Sequence, residues 1–333
     1  MKNNYFITID GGTTNTRIYL WDNENSLIDR IGLDIGVRDT AIDGDNQRLK
    51  IAIGMGIKEV LNKNSLTDEK INKIIASGML TSNVGLVEIP HIVAPVSLEK
   101  ISSGIESHLI EEIFSQEIYF IPGIKNFDDK INLDNFEKMD MMRGEEVETF
   151  AILDNMKNFH EDNYLIILPG SHIKIVSVNK DKEITGCLTS ISGELLSVIT
   201  NNTILASTLK KEFLEDKNYN KELLVEGYKL SQKVGLSRAC FSTRILGMFT
   251  SKNSQQLANF LLGAVLAEDL LSIRNSLALE INPKTQVVIS GKSPLERAIY
   301  DLLKEENYFQ KIEIYDALND HPLSGIGALL IGK

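Results

Sequence analysis

Two glycine-containing turns carry residue types that hold anions. Asp10-Gly-Gly-Thr-Thr-Asn15 closes one short β-forming run, and Pro169-Gly-Ser-His-Ile-Lys174 closes another about 160 residues later. Gly11 and Gly12 let backbone N–H groups approach an anion with no Cβ in the way. Thr13, Thr14 and Asn15 add hydroxyl and amide donors beside them. Gly170, Ser171, His172 and Lys174 repeat the combination with a lysine. Asp10, at a strand end, suits a Mg²⁺ ion held through water, because magnesium combines few carboxylates with phosphate oxygens. For the first turn alone the alternative is a plain glycine hairpin with Asp10 as a turn former. Facing each other, the two turns would grip a polyphosphate from both sides. A dinucleotide fingerprint or P-loop fails on context, since each needs a helix directly after its glycines. Here Thr16-Arg-Ile-Tyr-Leu-Trp21 alternates as a strand does. Gly291-Lys-Ser293 also fails as a P-loop, because Gln286 stands where its first glycine belongs.

The elements that must position these turns repeat. Strands are predicted over 5–9, 15–22 and 27–33, then a helix over 47–63 and buried strands over 73–76 and 118–121. The second half runs as strands over 164–168, 173–179 and 184–188, then helices over 193–208, 220–234, 237–249 and 255–278. A strand over 285–290, a helix, a strand over 311–315 and a last helix from Pro322 complete the chain. Alternating strands and helices mean α/β. Strand, glycine turn, strand, polar turn, strand occurs in each half, which points to duplication; residue identity between the halves is slight, so coincidence is the alternative.

Composition bounds the rest. At 333 residues the chain has room for two domains. A net charge of −11 excludes a general nucleic-acid binder, which needs basic surface. Two cysteines, Cys187 and Cys240, exclude a disulfide framework and a cysteine-rich zinc site. The first residues reach Asp10 too early for a secretory apolar core, and the apolar run 260–267 falls short of the ~20 residues of a membrane span. The expectation is a cytoplasmic protein with no membrane and no nucleic-acid partner; oligomeric state stays open, including a homo-oligomer.

Three blocks carry a family resemblance: Ile9-Asp-Gly-Gly-Thr-Thr-Asn-Thr-Arg17, Asp140-Met-Met-Arg-Gly-Glu-Glu146 and Leu168-Pro-Gly-Ser-His-Ile-Lys174. Ser192-Gly-Glu-Leu-Leu196, Cys240-Phe-Ser-Thr-Arg244 and the 260–268 run follow in the same order. The chain resembles the 2-dehydro-3-deoxygalactonokinase family within the actin-like ATPase and sugar kinase superfamily. That implies two actin-like (ribonuclease H-like) domains, each a mixed sheet flanked by helices, with a nucleotide cleft between them. The division would be 1–157, joined by the helix 322–333, against 158–321.

The resemblance also implies ATP- and Mg²⁺-dependent phosphorylation of the 6-hydroxyl of 2-dehydro-3-deoxy-D-galactonate, a small sugar acid. In related kinases the base opens a helix just before the second hairpin, which here is Arg143-Gly-Glu-Glu146. Consecutive helical residues diverge by about 100°, so both acids cannot aim at one hydroxyl. Glu145, beside the glycine, is favoured over Glu146; acids at a helix start also serve simply to stabilise it. Arg143 and Arg244 are candidates for the substrate carboxylate. Arg143 could pair instead with Glu146 or Asp140, and Arg244 could decorate a helix. Arg17 reaches nucleotide phosphates or stacks along Tyr19 and Trp21, and Glu194 caps a helix or contacts a sugar hydroxyl. His172 suits a γ-phosphate or metal-water contact, and Ser290 and Gly291 suit the nucleoside. His91, His108, His160 and His321 show no zinc spacing and are expected to be structural or exposed. Competing readings are a kinase for another sugar acid, hexose or amino sugar and, from another class, a nucleotide-gated regulatory or chaperone-like ATPase. A polyphosphate hydrolase would want a basic channel, which the net charge disfavours.

Overall fold

The computed structural model describes residues 5–127, 130–156, 163–316 and 322–333. In the first half, β1 (Tyr5–Gly11), β2 (Thr16–Trp21) and β3 (Leu27–Leu33) form an antiparallel meander. Helices α1 (Val37–Asp43) and α2 (Gln47–Lys63) lead to β4 (Ile71–Gly78), which runs parallel to β1. Next come β5 (Ile92–Val93), α3 (Leu98–Ser103), β6 (Glu106–Leu109) and β7 (Glu117–Phe120), then β8 (Ile124–Lys125), β9 (Met141–Met142) and α4 (Glu145–Asn155). The second half opens on β10 (Tyr164–Leu168), β11 (Ile173–Val178) and β12 (Ile184–Ser190). It continues with α5 (Ser192–Asn202), α6 (Ala206–Leu209), α7 (Lys221–Val234), α8 (Leu236–Phe249) and α9 (Ser254–Asn275). It ends with β13 (Gln286–Ile289), α10 (Leu295–Glu306), β14 (Ile312–Ile314) and α11 (Leu323–Gly332).

The sheets bear out the repeat. One has the order β3-β2-β1-β4-β7-β6 and the other β12-β11-β10-β13-β14, so an antiparallel meander continued by two parallel strands occurs twice. Glycine turns sit between equivalent strands, with Gly11 opposite Thr16 and Leu168 opposite Lys174. A small third sheet, β5-β8-β9, is built from the later part of the first half. The boundary expected between residues 157 and 158 lies outside the described residues, as do His160 and His321.

Both faces of the central strands are buried, which is why they read as unbroken apolar runs. On β10, Leu165 and Ile167 pack with α7, α9 and α10, whereas Ile166 and Leu168 enter a core shared with the first half. That shared core also takes Phe6, Tyr19 and Trp21 from the first sheet and Val147, Phe150, Leu329 and Ile331 from α4 and α11. Trp21 is fully buried with its Nε1–H donated to Thr8 Oγ1 at 2.8 Å. Helix α9 is long and apolar enough to cross a membrane by length and composition alone; 78% of that stretch is buried inside the fold. The helix expected over 193–208 breaks after Asn202. Thr203 turns extended there, its hydroxyl donating to the Ile199 carbonyl while accepting from the Leu205 N–H. Short α1 and α3 escape periodicity because neither completes two helical turns.

Helix α11 returns to the first half, where Lys73 donates to the Gly332 carbonyl (2.6 Å) and Ser102 to that of Ile331 (2.8 Å). It crosses α4 closely enough that a Cβ on Gly327 would lie 2.0 Å from the Val147 carbonyl oxygen. Gly327→Ala must therefore push the two helices apart. A loss of about 2–3 kcal/mol is expected, read as a lower urea midpoint at unchanged slope.

Candidate active site

A cleft of about 1080 Å³ opens where the two glycine hairpins, the start of α4 and the end of β13 converge. Its wall includes Asp10, Gly11, Gly12, Thr13 and Arg17 from the first hairpin, and Gly170, Ser171, His172 and Lys174 from the second. Arg143, Glu145, Ser290 and Gly291 line it as well. Most of the residues singled out by sequence thus meet in one place. The first hairpin is closed by Gly12 N–H donating to the Asn15 carbonyl at 2.8 Å. Thr14 and Asn15 sit exposed at its tip outside the wall, with Asn15 Nδ2 donating to Thr14 Oγ1. Across the hairpin, Arg17 pairs with Asp10 at 3.1 Å, so the strand register itself joins cation and carboxylate.

Gly144 sets the acids. Its φ of +111° is a conformation that side-chain-bearing residues rarely adopt, and it turns the chain from β9 straight into α4. Glu146 then folds back so that both carboxylate oxygens accept from the Gly144 N–H at 2.8 Å, fully buried and outside the cleft wall. Burial and the neighbouring Glu145 push its pKa up to about 8. Glu146 is therefore a poor alternate base, and Glu145 is the member of the pair on the wall. Glu148, one turn on from Glu145, lines the cleft too, with its pKa pushed up to about 8 by burial and then by Asp10 and Glu145. Sequence reasoning missed it. The signal was the i, i+3 spacing, which puts Glu145 and Glu148 on one helical face.

Other placements differ from expectation. Lys174 is buried, its ammonium donating to the Met141 carbonyl (2.8 Å) and contacting Thr189 Oγ1, with Asp140 at 3.8 Å. Asp140 in turn accepts from the Thr189 N–H at 2.6 Å and its hydroxyl at 2.8 Å. The lysine ties β11 to β9 instead of standing free for a phosphate. Glu194 stays outside the wall but lies 3.2 Å from His172, and its N–H donates to the Ser171 carbonyl, bracing the second hairpin. Arg244 is on α8, away from the cleft, donating to the Ile204 carbonyl at 3.2 Å. His91, expected to be structural or exposed, belongs to the wall with Met79, Asn83 and Glu88. Arg143 holds this stretch, donating to Thr81 Oγ1 (2.7 Å) and the Ile89 carbonyl (2.6 Å). Lys292 is a further cation on the wall that the sequence reading passed over.

The donor set fits a nucleotide and a magnesium ion. Hairpins from both sheets bring the hydroxyls of Thr13 and Ser171 and the guanidinium of Arg17 to the wall. Among the described residues no group of three His, Cys, Asp or Glu side chains gathers as a metal cage. One carboxylate such as Asp10, with phosphate oxygens and water, is what magnesium takes.

Two expectations follow. Lys174→Ala should lower stability by about 3 kcal/mol in denaturant melts without nucleotide, because it leaves the buried tie unpaired. An unchanged midpoint would return the lysine to the phosphate role. Glu148 keeps its proton to about pH 8 when folded but only to its ordinary value of 4.5 when unfolded. Between those values the unfolded chain binds fewer protons, so stability falls as pH rises. The Tm of the parent should therefore drop relative to that of Glu148→Gln as pH is raised from 5 to 8.

A sequence profile described as 2-keto-3-deoxy-galactonokinase matches residues 10–319. Among curated proteins no match is found. The fold is similar to a crystal structure from Sinorhizobium meliloti, provisionally described as a 2-dehydro-3-deoxygalactonokinase. Its TM-score is 0.71 at 18% identity, over 98% of this chain and 96% of that one. Weaker likeness extends to the activator of the 2-hydroxyisocaproyl-CoA dehydratase from Clostridium difficile with bound ADPNP. There the TM-score is 0.48 at 12% identity, over 98% and 93% of the two chains. The two mixed sheets with flanking helices are the actin-like fold of the sugar kinases. With its profile match running through both glycine hairpins and the α4 acids, the chain belongs to the 2-keto-3-deoxy-galactonokinase family of carbohydrate kinases.

Proposed function

We propose that this kinase transfers the γ-phosphoryl group of ATP to the 6-hydroxyl of 2-dehydro-3-deoxy-D-galactonate. The observation that carries this reading is the convergence of Glu145 with glycine hairpins from both sheets on one cleft, in a chain of this family. Gly11, Gly12, Thr13 and Arg17 of the first hairpin and Gly170 and Ser171 of the second hold the phosphates. Ser290 and Gly291 take the nucleoside side. Asp10 would hold Mg²⁺ through water, where the bound ion would supply charge neutralisation to the phosphates. Glu145 accepts the hydroxyl proton as the sugar oxygen bonds to phosphorus and the bond to the leaving ADP oxygen breaks. His172, braced by Glu194, stands by the phosphates. Arg143 and Lys292 offset the carboxylates around an anionic substrate, whereas Arg244 drops out of the site.

The two halves, 1–157 with 322–333 and 158–321, close on ATP as domains. The cytoplasm, where ATP is abundant and Cys187 and Cys240 stay free thiols, is the compartment for this reaction.

The deciding measurement is coupled ADP release with ATP and Mg²⁺ against 2-keto-3-deoxygalactonate, its gluconate epimer and neutral hexoses. Turnover that needs the keto acid is expected, fastest with the galactonate. Hydrolysis indifferent to any sugar acid would instead indicate a regulatory ATPase. Glu145→Ala should lower kcat by about 100-fold or more with ATP affinity intact. Unchanged turnover sinks the assignment of the base.

A further inference from the structure

The arginine that opens α4 also fixes the protonation of a histidine in the wall. Arg143 carries only N–H donors and has no lone pair to offer. Its Nη2 lies 3.3 Å from His91 Nδ1, while Nη1 and Nη2 also serve Thr81 and the Ile89 carbonyl. The Nδ1 atom facing that guanidinium must present its lone pair. A neutral imidazole with a bare Nδ1 carries its hydrogen on Nε2. Burial, then the charges of Arg143 and of Lys125 on β8, lower the His91 pKa to about 4, so the ring is neutral at physiological pH. Glu88, on the same stretch and also on the cleft wall, acts on Arg143 from the other sign. The ring is held at a second edge, because Cδ2 packs so near Gly123 that a Cβ there would come within 2.8 Å. Among the described residues no protein acceptor meets Nε2. The side chain is half-buried and lines the cleft.

We propose that His91 is a specificity-determining residue, a neutral imidazole whose Nε2–H donates to an acceptor oxygen at the keto-acid end of the substrate. Arg143 is the positioning residue that selects this tautomer. Carboxylate and ketone oxygens only accept, so a donor that cannot become an acceptor matches them. The adjacent guanidinium adds a positive field at the same place. A donor held this way discriminates by rejecting molecules that leave it unpaired. The assignment rests on the sugar-acid reading of the cleft given above.

Two variants and one spectrum test it. His91→Leu removes the donor, and His91→Gln keeps an amide N–H close to the Nε2 position. His91→Leu should raise KM for the sugar acid about tenfold with KM for ATP unchanged, and His91→Gln should restore most of the loss. Long-range ¹H–¹⁵N spectra of the parent protein should show His91 protonated on Nε2 alone from pH 8 to pH 5. Arg143→Met should let the ring titrate at a higher pH. An Nδ1–H tautomer in the parent, equal defects in the two His91 variants, or KM values that move together overturn the proposal. Turnover with unchanged KM in His91→Leu strikes only this inference. Absence of turnover with every sugar acid strikes the function reading, and the donor role with it, while leaving the tautomer spectrum to stand.

Discussion

Everything in the cleft hangs on the contact between α4 and α11, where the Val147 carbonyl lies against the bare Cα of Gly327. Helix α4 carries Glu145 and Glu148 on one face and gives Val147, Phe150, Ile152 and Leu153 to the core shared by both sheets. Its first turn is therefore fixed from behind by apolar packing and from the front by the Gly144 corner. Interhelical distance depends on the side chains at the crossing, and a methyl group here would move the acids as a unit. Positioning by a rigid element, with the reacting group at its end, is how a carboxylate is kept within hydrogen-bond range of a bound hydroxyl.

The electrostatics answer the difficulty raised by a net charge of −11 in a protein of anionic ligands. Asp10, Glu88, Glu145 and Glu148 share the wall with Arg17, Arg143, Lys174 and Lys292, so formal charges there balance. The hairpins bring the Thr13 and Ser171 hydroxyls to the same wall, donors that carry no net charge. Crowded carboxylates respond by taking up a proton, and Glu148 is the member whose affinity for one is raised.

Much of this was legible in the sequence, and the exceptions have physical causes. The strands at the two hairpins, α2 and most of the phosphate-side residues follow from local pattern, because glycine turns and alternation are properties of neighbouring residues. The ties of Lys174 are invisible in sequence since its partners, Met141, Thr189 and Asp140, are not its neighbours in the chain, and a lysine beside a glycine turn reads the same whether free or tied. Arg244 was misplaced because a helix-borne arginine says nothing of which way its helix faces. His91 reads as structural or exposed for a similar reason, as the guanidinium against its ring belongs to Arg143, 52 residues later in the chain. Short α1, α3 and the two-residue strands of the small sheet owe their existence to packing and lack any period of their own.

The return of α11 also orders events during synthesis. Lys73 waits for the Gly332 carbonyl across 259 residues, and Ser102 for that of Ile331 across 229. Until that helix leaves the ribosome, the inner face of the first sheet, with Trp21 and Tyr19, has no cover where Gly325 will sit. The second sheet needs no such late partner for its outer helical layer, since α7, α9 and α10 are all made before its last strand, β14. The half made first is thus completed last, and loop closure over so long a span is slow. A nascent chain of this protein therefore keeps part of that apolar face uncovered until its last helix is made.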